Sequence, residues 1–205
     1  MLNVNGKLWE CLNKVTNLIV LNVVFIIGCL PIITIGASKA ALYCVIDKMD
    51  KNEEGSILRE YFMGFKKQFK KSSVVWIGYC IVVFLIVLNI YALINIQVGW
   101  METFLMMATV LVFFTASSAF IYIFILWTRG DTSVKKGLLD GSLLAIVNLP
   151  CTMLVLLVEF LPFVLVFFFT EFWLYIITYY VVVGFSLGAL IHIRISRKML
   201  SRIID

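Results

Sequence analysis
The feature that most restricts what this chain can become is a series of apolar runs, each long enough to cross a bilayer. They cover Val15 to Ile46, Val74 to Val98, Thr103 to Trp127, Leu138 to Phe169 and Phe172 to Ile193. About 20 apolar residues suffice to cross roughly 30 Å of hydrocarbon at about 1.5 Å per residue. Of the 205 residues, 62% are hydrophobic and only 14% charged, too little polar surface to cover a water-exposed globule. The solvent for most of the chain must therefore be lipid. This predicts an all-α fold: one polytopic transmembrane helical bundle over residues 1–205, with about five spans. The N-terminus reads as retained, because the first apolar run continues past Pro31 with no small-x-small cleavage site before it.

Nearly all the charge lies in the segments between the runs. The stretch from Asp47 to Ser73 holds Lys48, Lys51, Arg59, Lys66, Lys67, Lys70 and Lys71. Lys135 and Lys136 follow Arg129, and Arg194, Arg197, Lys198 and Arg202 lie in the tail. The alternate loops, Gly99 to Glu102 and Glu159 to Glu171, have no basic residue and carry Glu102, Glu159 and Glu171. By the positive-inside rule the basic loops and the C-terminus are expected to be cytoplasmic. The net charge of +5 then points to anionic lipid headgroups as a partner and not to nucleic acid.

The first run, about 32 residues, is too long for one straight span and barely long enough for two. Pro31 is the expected break. The favoured reading is one crossing from Asn17 to Ile33, then an amphipathic helix from Ile35 to Met49 with Lys39 snorkelling toward the cytoplasm and the N-terminus outside. The alternative is a re-entrant or two-span hairpin bent at Pro31. It would put Lys7 and Lys14 inside but carry Lys39 into the membrane.

Two further segments read as amphipathic interfacial helices. After Ser56, a plausible N-cap, Ile57, Leu58, Tyr61, Phe62, Phe65 and Phe69 recur at helical spacing, flanked by the basic patch Lys66, Lys67, Lys70 and Lys71. From Thr132 to Asn148, Val134, Leu138, Leu139, Leu143, Ile146 and Val147 alternate with Lys135, Lys136 and Asp140. Each such helix precedes two spans, which suggests a degenerate internal repeat.

The search for catalytic machinery returns no phosphate loop, no G-x-G-x-x-G, no H-E-x-x-H and no G-x-S-x-G, so no enzyme activity, cofactor or metal is expected. Cys11, Cys29, Cys44, Cys80 and Cys151 include no C-x-x-C pair and read as small apolar residues. His192, the only histidine, reads as an interfacial residue beside Arg194. Glu159 falls at the outer end of its span if that span starts at Leu138, and near mid-membrane if it starts at Pro150; in the second case it marks an intramembrane polar site with Asn148 nearby. Asn89 and Asn95 are expected to bond between helices. Gly36 with Ala40, and Gly184 with Gly188, are small-x-x-x-small pairs for close helix packing, which could also serve self-association.

One string is more specific than composition. Leu30-Pro31-Ile32-Ile33-Thr34-Ile35-Gly36-Ala37-Ser38-Lys39-Ala40-Ala41-Leu42-Tyr43, preceded by Asn17 and Asn22, is followed by Glu54-Gly55-Ser56, by Phe62, Phe65, Lys66, Phe69 and Lys70, and by Asn148-Leu149-Pro150-x-Thr152. This order of motifs resembles the YesL-like family of small bacterial membrane proteins. The resemblance implies a multi-pass protein of the cell membrane, found mainly in Gram-positive bacteria, with no established activity and with genes for sugar uptake and glycan degradation as neighbours. It supplies no catalytic residue. The resulting expectation is a non-enzymatic accessory of carbohydrate uptake that contacts a membrane transporter subunit. A small oligomeric secondary transporter or channel, and a structural or lipid-organising protein, are the alternatives.

Overall fold
Pro31 lacks an N–H and disfavours helix in the residue before it, so a helix arriving from the N-terminal side must stop there. In the computed structural model, which describes residues 4–53, 55–95, 99–130 and 132–204, α1 (Val4–Cys29) does stop there. Side chains are described at Trp9 and, within those ranges, from 12 to 199. Glu54 and Val98, and the side chains of Lys7, Cys11 and Arg202, lie outside the described residues.

The chain turns through a 3-10 segment, Ile32–Thr34, into α2 (Ile35–Asp50). Thr34 Oγ1 donates to the carbonyls of Gly28 at 2.7 Å and Pro31 at 2.6 Å, capping the open end of α1. The two helices are antiparallel: Ser38 Oγ donates to the Phe25 carbonyl at 2.9 Å near the tip, and Lys14 Nζ donates to Asn52 Oδ1 at 2.9 Å at the other end. The favoured single crossing is therefore corrected to a hairpin bent at Pro31. Nor is α2 an amphipathic helix on the surface. Eleven of its 16 residues are buried, because Gly36, Ala37, Ala40 and Ala41 are small enough for neighbours to close around it.

α3 (Ile57–Asn95) is one unbroken helix of 39 residues, about 58 Å at 1.5 Å per residue. The first expected surface helix is thus the proximal half of a span, and α2 lies antiparallel along it. Gly36 meets the Ser72 carbonyl and Trp76, Gly64 meets Ala41, and Lys48 Nζ is 3.7 Å from Glu60. Tyr61 is consequently buried against α2, while Phe62 and Lys66, Lys67 and Lys70 face outward. The hairpin tip shares a shallow apolar groove with the mid-part of α3: Ile32 and Ile33 lie beside Trp76, Ile77, Cys80 and Phe84. Since Phe84 precedes Asn95 by eleven residues, or about 16 Å of helix, the tip stops well short of α3's far end. The hairpin therefore turns partway along α3.

α4 (Trp100–Arg129) returns along α3, joined by Thr109 to Asn89 at 2.9 Å and by Tyr79 to Ser117 at 3.1 Å. α5 (Val134–Val147), capped by Ser133, folds back on the end of α4. Its packed face is the small stripe Gly137, Gly141 and Ala145, so Leu139, Leu143 and Ile146 point away from the protein. A break at Asn148 separates it from α6 (Leu149–Phe168). The two halves therefore differ at this junction, the first short helix being continuous with its span and the second not. The last rod comprises α7 (Trp173–Tyr179), a π segment (Tyr180–Gly184) and α8 (Phe185–Ile204).

No strand occurs among the described residues, and five helices, α1, α3, α4, α6 and the final rod, are long and apolar enough to cross a membrane. Lys14, Lys48, Lys51, Arg129, Lys135, Lys136, Arg194 and Arg197 gather at one end, called here the basic end; Glu102 and Glu171 lie at the other. α2 sits at the centre, packed against α1, α3, α4 and α8.

A Cβ at position 36 would run into α3's main chain, whereas one at Gly78 on the same helix pair would meet nothing within 4 Å. Gly36→Ala should accordingly lower the thermal stability of the detergent-solubilised protein by about 1–3 kcal/mol. Gly78→Ala should leave it unchanged or raise it by up to about 1 kcal/mol.

Candidate functional site
The residues that carry charge into the apolar interior converge on α2. Lys39 Nζ donates to Glu159 Oε1 of α6 and lies 5.2 Å from the centroid of the Phe120 ring of α4. The Lys39 side chain is 11% exposed and that of Glu159 31%. Glu159 is the eleventh residue of a helix that begins at Leu149, so the break at Asn148 puts it mid-helix, as the count from Pro150 anticipates. One turn further along α2, the Tyr43 hydroxyl is 2.6 Å from His192 Nδ1 of α8, and that nitrogen is 3.9 Å from Glu159 Oε2. The Tyr43 ring is nearly parallel to those of His192 and Phe124, with centroids 6.2 Å and 6.5 Å away. Lys39, Glu159, Tyr43 and His192 thus form one cluster joining α2, α6 and α8.

Two sequence readings are corrected here. Lys39 does not snorkel toward headgroups, because Glu159 meets it within the bundle. His192 is not interfacial but 1% exposed, held inside by Tyr43 and Glu159. An isolated ammonium or carboxylate at this depth would be costly; a paired one is tolerated.

A second ionic group lies toward the basic end. Arg197 bonds Asp47 at 3.0 Å and Asp50 at 2.6 Å, and Arg194 Nε donates to Asp50 at 3.0 Å. Asp47 also accepts from Lys51 at 2.6 Å. This clamp ties the end of α2 to α8. A third contact secures α1: Asn22 Nδ2 donates to the carbonyls of Tyr180 at 2.9 Å and Val181 at 2.7 Å, and its Oδ1 accepts from Ser186 N at 2.9 Å. Those carbonyls sit in the π segment, where i→i+4 bonding is interrupted, so a buried asparagine completes what the helix leaves open.

The remaining predicted residues fall as follows. Asn148 joins α5 to α6, its carbonyl accepting from Thr152 while its side-chain Nδ2 is buried without a protein partner among the described residues. Asn95 bonds the Tyr91 carbonyl of its own helix. Gly36 and Ala40 are both buried in α2. Gly188 touches Val158 of α6 at ordinary contact distance, whereas Gly184 leaves room for the Tyr180 ring one turn earlier in its own rod. Lys66, Lys67 and Lys70 are exposed on α3, and Lys71 is partly so.

Sequence reasoning missed the pairing of Lys39 and Tyr43 with residues more than a hundred positions away. It also missed the Asp47/Asp50 clamp and the stripe at 137, 141 and 145. Only the last two had a usable signal: acidic and basic pairs both spaced by three, and a G-x-x-x-G-x-x-x-A run.

The fold and the charge distribution define a multi-pass helical membrane protein. The profile of one protein family, described as "Protein of unknown function, DUF624", matches residues 18–90. That stretch carries the first part of the YesL-like resemblance: the second half of α1 from Leu18, all of α2 and most of α3. No curated protein and no solved structure matches the chain.

Removing one member of the Lys39 and Glu159 pair leaves the other charge uncompensated. Lys39→Met and Glu159→Met should each cost up to about 3 kcal/mol, somewhat less than for a fully buried pair because Glu159 keeps 31% of its side chain accessible. The double variant should cost clearly less than the sum. A strictly additive thermal-unfolding result would mean the contact is not a coupled pair.

Proposed function
We propose that this chain is a non-enzymatic accessory component of a membrane transport system, acting in carbohydrate uptake and contacting a transporter subunit through its basic end, which faces the cytoplasm. The observation that carries this reading is the internal pairing of the intramembrane charges. Lys39 and Glu159 satisfy each other and fasten helices together, while outward-facing side chains are left for partners: Phe62 with Lys66, Lys67 and Lys70 on α3, and Leu139, Leu143 and Ile146 on α5. Aromatic and basic side chains at the edge of a span suit anionic headgroups and a neighbouring membrane subunit alike. The carbohydrate link rests on the YesL-like resemblance alone, as does placement in the cell membrane of a Gram-positive bacterium.

One observation favours a second reading, a small secondary transporter or channel. Three ionisable groups from three helices meet mid-bundle, and in membrane proteins such groups commonly mark substrate or proton pathways. The two readings separate in one pair of measurements. Purification from native membranes should return a transporter subunit reproducibly, and return less of it when Lys66, Lys67 and Lys70 are changed to Gln. Purified protein in vesicles should show no solute flux on its own. Flux that disappears with Glu159→Gln, together with no co-purified subunit, would replace the accessory reading with the second.

A further inference from the structure
The groove between the hairpin tip and α3 has one wall made by Ile32 and Ile33 and another by Trp76, Cys80 and Phe84, and its lining is apolar. It encloses about 310 Å³, at the lower end of the roughly 300–1,000 Å³ of small-ligand sites, which suits one extended hydrocarbon chain. Charge stands directly above it. At about 3.6 residues per turn, Lys66, Lys70, Ile77, Ile81 and Phe84 lie within about 60° of one another around α3, so the two lysines share the groove's face of the helix, nearer the basic end. All five are exposed. Lys48 meets Glu60, but neither Lys66 nor Lys70 has a carboxylate within ion-pair distance among the described residues. Residues four apart on a helix are neighbours, about 5–6 Å between their Cβ atoms, close enough for both ammonium groups to reach one phosphate.

We propose that this face binds one anionic phospholipid of the leaflet at the basic end, its phosphate held by Lys66 and Lys70 and one acyl chain laid in the groove between the hairpin tip and α3. The lengths agree. Lys70 precedes Ile77 by seven residues and Phe84 by fourteen, or about 10 Å and 21 Å of helix. One leaflet contributes roughly 15 Å of hydrocarbon, half of the roughly 30 Å core, so a chain anchored at Lys70 runs past Ile77 and along the groove toward Phe84. Surface lysines alone attract any anionic lipid loosely. The second wall, Ile32 and Ile33, turns that attraction into a site by fixing where the chain lies. A zwitterionic lipid has the same tails, but its ammonium group is repelled by the two lysines. A partner's transmembrane helix, about 10–12 Å across, is too wide for the groove and, if apolar, leaves both lysines unanswered. The bound lipid touches the tip and α3 together, adding support on the bilayer side to the contact that Gly36 makes with Ser72. This goes beyond the accessory reading and does not depend on it, since Lys67 and the outward face of α5 stay open to a partner.

Native mass spectrometry of the purified, unmodified chain, released from micelles holding equal amounts of a phosphatidylglycerol and a phosphatidylcholine with the same acyl chains, tests the site directly. No transporter subunit is present, so failure here and failure of the accessory reading are separate results. One phosphatidylglycerol should be retained several-fold more often than the phosphatidylcholine. Changing Lys66 and Lys70 together to Gln should lower that retention several-fold. Changing the exposed Lys135 and Lys136 of α5 to Gln removes the same charge elsewhere and should leave it unaltered. Cys80→Trp, which fills the groove from an exposed position and keeps both lysines, should also lower retention. Ile33→Trp fills it from the other wall should Cys80→Trp fail to fold. Equal retention of the two lipids overturns the proposal. So does an equal loss from the two lysine pairs, or retention indifferent to filling the groove.

Discussion
The contact on which the arrangement depends is the ion pair between Lys39 and Glu159. A lysine one turn into a buried helix is tolerable inside a bilayer only if a counter-charge meets it, because the desolvation of a lone ammonium is not recovered elsewhere. Glu159 reaches it from α6, Phe120 offers its ring face from α4, and Tyr43 and His192 close the cluster from α2 and α8. With the charge answered, α2 can be buried on nearly all sides. Its small residues then let α3 approach to backbone contact at Gly36 and Gly64. The pair is an orienting device more than a source of net stability, since two well-packed apolar residues would hold helices together at least as firmly.

The string that carries the family resemblance is accounted for residue by residue in these terms. Pro31 ends α1, Thr34 caps it, Gly36 admits α3, Ser38 bonds the α1 carbonyl of Phe25, Lys39 meets Glu159 and Tyr43 meets His192. Nearly every polar side chain in the stretch has a structural partner. Such a motif describes how a bent helical hairpin is built and fastened, which is why it names an architecture without naming a reaction.

Much of this architecture was legible in the sequence. Runs of apolar residues gave the spans, Pro31 and Asn148 gave the breaks, and alternating charge separated a basic end from an acidic one. The depth of Glu159 followed once its helix was counted from Pro150. What could not be read was pairing across the chain. A lysine beside a helix end looks like a snorkelling residue until the carboxylate 120 positions later is known to face it. A lone histidine next to an arginine looks interfacial until Tyr43 is seen to draw it inward. Hydrophobic periodicity misled in another way: in α5 the large leucines face away and the glycines make the contact, because in a bilayer apolar bulk gains nothing by facing protein, whereas small residues permit close approach. The continuity of α3 was hidden for a related reason. A basic amphipathic turn reads as a separate surface helix, although no proline or glycine cap divides it from the span that follows.

The central claim is that α1 and α2 form a hairpin that turns inside the membrane, held there by the charged cluster. Spin-label accessibility at Ile33→Cys, in a background with the native cysteines replaced and in lipid vesicles, tests it most directly. A re-entrant tip beside Trp76 and Phe84 predicts high collision with oxygen and low collision with a water-soluble nickel reagent, the signature of the bilayer interior. A label freely reached by the nickel reagent on the face opposite the basic end would show that α1 crosses completely, and would contradict the account.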